Sequence, residues 1–309
     1  MPASDRASAR NARRFNIAFA AFLAMGIGML LAAVAVLEQA ERLPPPPFTA
    51  TTCIDNKFEF LHDSNLERVN FIAVGSSVTL HNVDLSVIAQ RFPHLRPINA
   101  APCHLYVDQT KFLVEFLLEG MPDVQTVLTV FSPRDFQNCN VADTEFFDRT
   151  LAGWYVFDKH YPWLVYLRAI GTAPFVSAVL AANRATPEWD EFGTMPMRAR
   201  QQVELPAYLD PRCFAALREL EHGLAARNVR LLVVTFPPMP GWGQERDHRF
   251  IDEWNRGLRA TLREPTTQLI DGARVGLRED DFADPLHLLW PSPTRFTSYI
   301  AEQLAVADS

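Results

Sequence analysis

Residues 69–77 read Val69-Asn70-Phe71-Ile72-Ala73-Val74-Gly75-Ser76-Ser77, a short β-rich apolar run that stops at a glycine and passes into two serines. From there on, strand and helix alternate. A second strand is expected at 95–99, a third at 124–131 that is near-continuously apolar, a fourth at 229–236 and a fifth at 267–270. Between them, helical spacing of apolar residues predicts helices at 84–91, 107–119 (Phe112, Leu113, Phe116, Leu117), 210–227 and 247–263, with a last one at 291–305. Asp210-Pro211 is a helix-opening pair, a side-chain cap followed by proline in the first turn. Strands alternating with helices imply one parallel sheet covered on both faces, which is why its strands carry no polar alternation.

Upstream of that domain lies an apolar stretch, residues 15–37, 23 residues with no charge. As a helix it would be about 34 Å long, against about 30 Å of bilayer hydrocarbon. Arg6, Arg10, Arg13 and Arg14 precede it, while Glu38 and Glu41 follow. That asymmetry keeps residues 1–14 in the cytoplasm and places the remainder outside, in the periplasm if the membrane is an inner one. A cleaved signal is the rival reading, with Ala33-Val34-Ala35 as its small-residue site, but signal cores usually run only about 7–15 residues. Residues 38–52 form a proline-rich linker in which four consecutive prolines, 44–47, predict an extended spacer.

A net charge of −7, with no basic stripe, argues against a nucleic-acid partner. Cys53, Cys103, Cys139 and Cys213 all fall on the outer side; an even number there predicts two disulfides with three pairings open. The placement of Cys103 and Cys139 in loops near the serines favours that pair, leaving Cys53 with Cys213. No CxxC element, HExxH, phosphate-cradling loop or dinucleotide fingerprint is present, so no metal or cofactor is expected. Residues 140–205 break the strand–helix rhythm. They are rich in aromatics, and the apolar segment 163–182 is interrupted by Arg168 and Pro174. A helical insertion is expected there, either packed on the domain, closing as a lid or meeting a membrane partner.

Ligands of a parallel sheet bind beyond the carboxyl ends of its strands. Ser77 lies just past the first strand, the loops 100–104 and 132–138 follow the second and third, and Asp284-Pro285-Leu286-His287 precedes the last helix. A serine, an imidazole to take its proton and a carboxylate to orient that imidazole are the minimum for moving an acyl group. The rival α/β-hydrolase elbow, Gly-x-Ser-x-Gly, fails because Thr79 stands at its last glycine.

On these residues the chain resembles the SGNH (GDSL-like) hydrolase superfamily over about residues 66–305. Ala73-Val74-Gly75-Ser76-Ser77 matches its first block, and Asp284-Pro285-Leu286-His287-Leu288 its last. The resemblance implies a flavodoxin-like three-layer sandwich with a central five-stranded parallel sheet. It implies Ser77 as nucleophile and oxyanion donor, His287 as general base and Asp284 as its orienting partner. Two blocks depart from the family. Asn99–His104 lacks the second-block glycine, which leaves a backbone donor such as Ala101 or Cys103, and 132–135 is Ser-Pro-Arg-Asp without the third-block asparagine, which leaves Ser132 or Arg134. His81 and Asp135 are expected to be structural, and His104 is a candidate to face the pocket.

Divergence of this kind, with an anchor and four cysteines, resembles membrane-bound members that O-acetylate exported polysaccharides. That branch implies a polysaccharide or other hydroxylated acceptor and a multi-pass membrane acyltransferase as acyl donor. An esterase with the same three residues and a non-catalytic assembly protein are the other two readings.

Overall fold

The computed structural model describes residues 3–40, 42–49, 51–139, 144–160, 165–166, 176, 179, 188–201, 208–240 and 245–307, with backbone alone at 3–9, 245–249 and 306–307. Two compact units divide the chain, residues 1–47 with 161–185, and residues 48–160 with 186–309.

In the first unit, helix α1 (Ala3–Gln39) contains a stretch, Arg10–Gln39, that is long and apolar enough to cross a membrane as an anchor or a signal. Phe15, Phe22 and Met29 stand exposed along it, as a lipid-facing surface requires. The proline tract is not a free spacer. Leu43 is buried with Val34 and Tyr166, and the Tyr166 hydroxyl donates to the Pro44 carbonyl at 2.6 Å. Most of the expected insertion, including the bulk of 163–182, lies outside the described residues.

The second unit is built on five parallel strands: β1 (Phe71–Ala73), β2 (Pro97–Asn99), β3 (Thr126–Phe131), β4 (Arg230–Thr235) and β5 (Thr267–Asp271). Their order is β2-β1-β3-β4-β5, the doubly wound order of flavodoxin-like sheets. Each expected strand is present, its ends within two residues of those expected. All five expected helices are also present, as α4 (Leu85–Arg91), α5 (Val107–Gly120), Pro211–Ala225, Glu245–Thr261 and the terminal helix Ser292–Ala307. Asp84 and Asp210 cap α4 and the 211–225 helix by accepting from the N–H groups two residues on. Leu128, Val130, Leu232 and Val234 are completely buried and pack with Phe282, Phe296 and Ile300 of the terminal segment. That apolar burial is the main stabilising term for the sheet.

Some elements escaped the sequence reading. Helix α2 (Thr52–Asp63) precedes β1 and buries Ile54, Phe58 and Leu61. A small antiparallel hairpin pairs Phe282–Asp284 with His287–Leu288. The expected disulfide pairing is also corrected: Cys53 bonds Cys103, and Cys139 bonds Cys213. The physical reason is that α2, unread in the sequence, brings Cys53 against the loop after β2. The helix capped by Asp210 brings Cys213 against the loop after β3.

Candidate active site

The strand order reverses between β1 and β3, so the loops leaving those two strands diverge and open a crevice at their carboxyl ends. Gly75 makes the turn out of β1. A side chain there would lie 2.3 Å from Thr79 Oγ1, so no other residue fits. The close approach lets Thr79 Oγ1 bond both the N–H and the carbonyl of Val130, which fixes helix α3 (Ser77–Asn82) against β3. Ser76 caps α3, accepting from Val78 N–H, and Ser77 becomes its first residue.

Ser77 Oγ lies 3.0 Å from His287 Nε2, and His287 Nδ1 lies 2.7 Å from Asp284 Oδ2. The structure thus brings together all three residues expected to cooperate, from positions 210 apart in sequence. A carboxylate accepts only, so Nδ1 carries the proton and Nε2 presents its lone pair to the hydroxyl. Asp284 is further held by Leu286 N–H at 2.7 Å. Burial pushes its carboxyl up, but the His287 hydrogen bond and charge outweigh this and leave it below its ordinary value.

Asn82, at the far end of α3, was not singled out from sequence. Its amide donates to Leu286 O at 2.9 Å and accepts from Leu288 N–H at 2.6 Å, gripping the hairpin on both sides of His287. One helical turn after Ser77, the His81 ring stands edge-to-face with His287, centroids 4.9 Å apart, and its Nδ1 donates to Met195 O at 2.6 Å. Burial, with His287 beside it, lowers His81 to about 4, so it is a neutral packing partner near neutral pH. Its structural assignment agrees with the sequence reading, and its contact with His287 adds to it.

A cleft of about 60 Å³ opens beside Ser77, bordered by Ser76, His104, Tyr106, Arg134 and Leu286. A single water needs about 10–15 Å³ on this scale, so the space suits a group of a few heavy atoms. The oxyanion candidates separate sharply here. Ala101 is removed, because it is fully buried and its N–H is given to Asn99 Oδ1 at 3.1 Å. Ser132 is removed as well: both its N–H and its hydroxyl go to Asp135 Oδ2, at 2.7 and 3.0 Å. Cys103 is tied into its disulfide and stays out of the cleft wall, where its neighbour His104 stands.

His104 has φ +61, the left-handed conformation in which glycine is the usual residue. Among the described residues, neither its N–H nor that of Ser77 has an acceptor. Burial and the nearby Arg134 and His287 charges hold its imidazole below the ordinary value.

Asp135 is structural, as expected. It closes the turn Pro133–Phe136 on Ser132 and also bonds the Ser76 side chain. Burial raises its carboxyl to about 6 against those hydrogen bonds.

Behind the loop after β2, Lys57 is fully buried, donating to Asn99 O at 3.0 Å and Gly193 O at 2.6 Å, with its ammonium 4.0 Å from the Trp189 ring centre. Burial lowers its ammonium well below the usual range, opposed by Asp190. No signal in the sequence marks a lysine as interior, since lysine is almost never fully buried unless paired.

No protein-family model matches this chain, and no curated protein is significantly similar to it. Among the described residues no cluster of metal-ligating side chains occurs.

Proposed function

We propose that this protein moves a short acyl group through Ser77, as an SGNH-type serine acyltransferase that acetylates hydroxyls of an exported or cell-surface polysaccharide. The observation that carries the reading is the continuous hydrogen-bonded line Ser77–His287–Asp284 at the rim of a cleft sized for a small acyl group. His287 Nε2 takes the Ser77 proton as Oγ attacks the acyl carbonyl, and Asp284 stabilises the imidazolium that forms. The oxyanion is received by the N–H groups of Ser77 and His104, in a site where such donors count for most because they need no reorganisation. Collapse breaks the bond to the leaving oxygen, which takes the proton from His287. An acceptor hydroxyl then gives its proton to His287 and attacks the acyl-serine; the acyl–Oγ bond breaks, and His287 returns the proton to Oγ, restoring Ser77.

The apolar N-terminal helix and the two disulfides support an anchor with the folded unit in an oxidising compartment. The arginines that precede the apolar run support a cytoplasmic N-terminus, an inner-membrane location and a periplasmic site. Acetyl-coenzyme A is cytoplasmic, so the acyl group must be handed across the membrane, which calls for a multi-pass partner.

The test is turnover of a chromogenic acetyl ester by the full chain in detergent. Ser77→Ala is expected to lose it by about 10⁴-fold or more; unchanged turnover in that variant would remove the enzyme reading altogether. Adding an oligosaccharide then separates transfer, seen as a mass gain of one acetyl group on the sugar, from hydrolysis.

A further inference from the structure

Arg134 lines the Ser77 cleft, and among the described residues its guanidinium makes no hydrogen bond or ion pair. Its neighbour Asp135 also borders the cleft and feels its charge, but the hydrogen bonds of that carboxylate go to Ser132 and Ser76. A guanidinium carries five N–H donors, and on this cleft-lining residue none of them has an acceptor among the described residues. The backbone beneath them is firmly fixed. Ser132 and Asp135 close the turn Pro133–Phe136, Asp210 N–H donates to Phe136 O at 2.8 Å, and Cys139–Cys213 bolts the following residues to the 211–225 helix. A rigid base with an uncommitted cationic head is the arrangement of a recognition group.

The alternative use of Arg134, as the oxyanion donor that replaces the family's asparagine, fits less well. An oxyanion donor works by being preorganised, and a guanidinium held by no hydrogen bond is not. The N–H groups of Ser77 and His104 already meet that requirement as fixed backbone donors. Resting on the acyl-transfer reading, and extending it to the identity of the acceptor, we infer that the acceptor is an acidic glycan, carrying an anionic group close to the hydroxyl that is acylated, and that Arg134 pairs with that group. The planar fork of arginine matches the two oxygens of a carboxylate or phosphate, which lysine does not. The whole chain carries a net charge of −7, so long-range attraction does not favour an anion. Any preference must therefore be local and must disappear with this one side chain.

The test separates binding from turnover by using full-length Ser77→Ala, which holds the cleft without reacting. Trigalacturonic acid and maltotriose are titrated against it calorimetrically, with glucose 6-phosphate against glucose as a second pair to distinguish carboxylate from phosphate. The acidic member of one pair is expected to bind about 10- to 100-fold tighter than the neutral one. In Ser77→Ala/Arg134→Gln the ratio is expected to fall to about one, and in Ser77→Ala/Arg134→Lys to lie between. Equal binding of acidic and neutral sugars, or a preference that survives Arg134→Gln, overturns the inference. That result would leave the ester assay of Ser77→Ala standing on its own, so the two readings fail separately.

Discussion

The two sides of the cleft are built by opposite strategies. On one side, α3 and the 282–288 hairpin hold Ser77, His287 and Asp284 by side-chain hydrogen bonds: Asn82 grips the backbone around His287, and Asp284 is closed by Leu286 N–H. On the other, the loops after β2 and β3 hold His104 and Arg134 by covalent staples, Cys53–Cys103 and Cys139–Cys213. The first side matches the sequence blocks that carry the family resemblance, and the second side is where those blocks fail. A polar constellation that must transfer protons tolerates few substitutions, because every atom of it has a partner. A loop that supplies only a backbone N–H or a charged head tolerates many, provided something else fixes its course.

Breaking the hydrogen-bonded side should have the larger effect. Asp284→Asn keeps the shape but presents an amide to His287, which favours the wrong imidazole tautomer. A loss of about 10⁴-fold in kcat for acetyl-ester turnover is expected, with little change in unfolding midpoint. A loss under tenfold would mean that the 2.7 Å contact does not serve the reaction.

The covalent side should answer mainly in stability. Replacing Cys53 and Cys103 by alanine, or Cys139 and Cys213, opens loops with sequence separations of 50 and 74. Each pair is expected to cost about 2–4 kcal/mol in denaturant unfolding. The comparison sharpens in the kinetics: the Cys53/Cys103 variant should lose more kcat than the Cys139/Cys213 variant, since Cys103 directly adjoins His104. The reverse ranking would take His104 out of its proposed oxyanion role.

The smallest effect tests how the two sides are joined. Asp135 links Ser76, beside Ser77, to the turn that carries Arg134. Its folded carboxyl is raised to about 6 from an ordinary 3.8, so between those values the folded state binds the proton that the unfolded state has released. Stability from this group is therefore full below about pH 4 and falls as pH rises towards 6. Asp135→Asn removes that dependence. In urea titrations the wild type should lose stability relative to the variant as pH is raised through this window, and a constant difference would contradict the raised carboxyl.

Much of this was legible in the sequence. The five strands, their connecting helices and the pairing of Ser77 with Asp284 and His287 follow from period, turn residues and position alone. They are local signals: apolar runs of strand length, Asp210-Pro211 at a helix start, Gly75 at a strand end. Several features were not legible. Asn82 and Lys57 carry no local signal of their roles, because polar side chains are usually exposed, and only tertiary packing gives them buried carbonyls to hold. Helix α2 was missed because it stands outside the strand–helix alternation, and the disulfide pairing was missed with it.

By itself, then, the sequence determined the wound sheet, the apolar N-terminal helix and the three residues that can share a proton, since each is written in nearest-neighbour chemistry or in spacing along the chain. Which cysteines meet and which side chains come to line the cleft beside Ser77 were decided only in three dimensions. These depend on what stands across a gap from each residue, and two residues 50 or 136 positions apart carry no mutual signal until the chain has closed on itself.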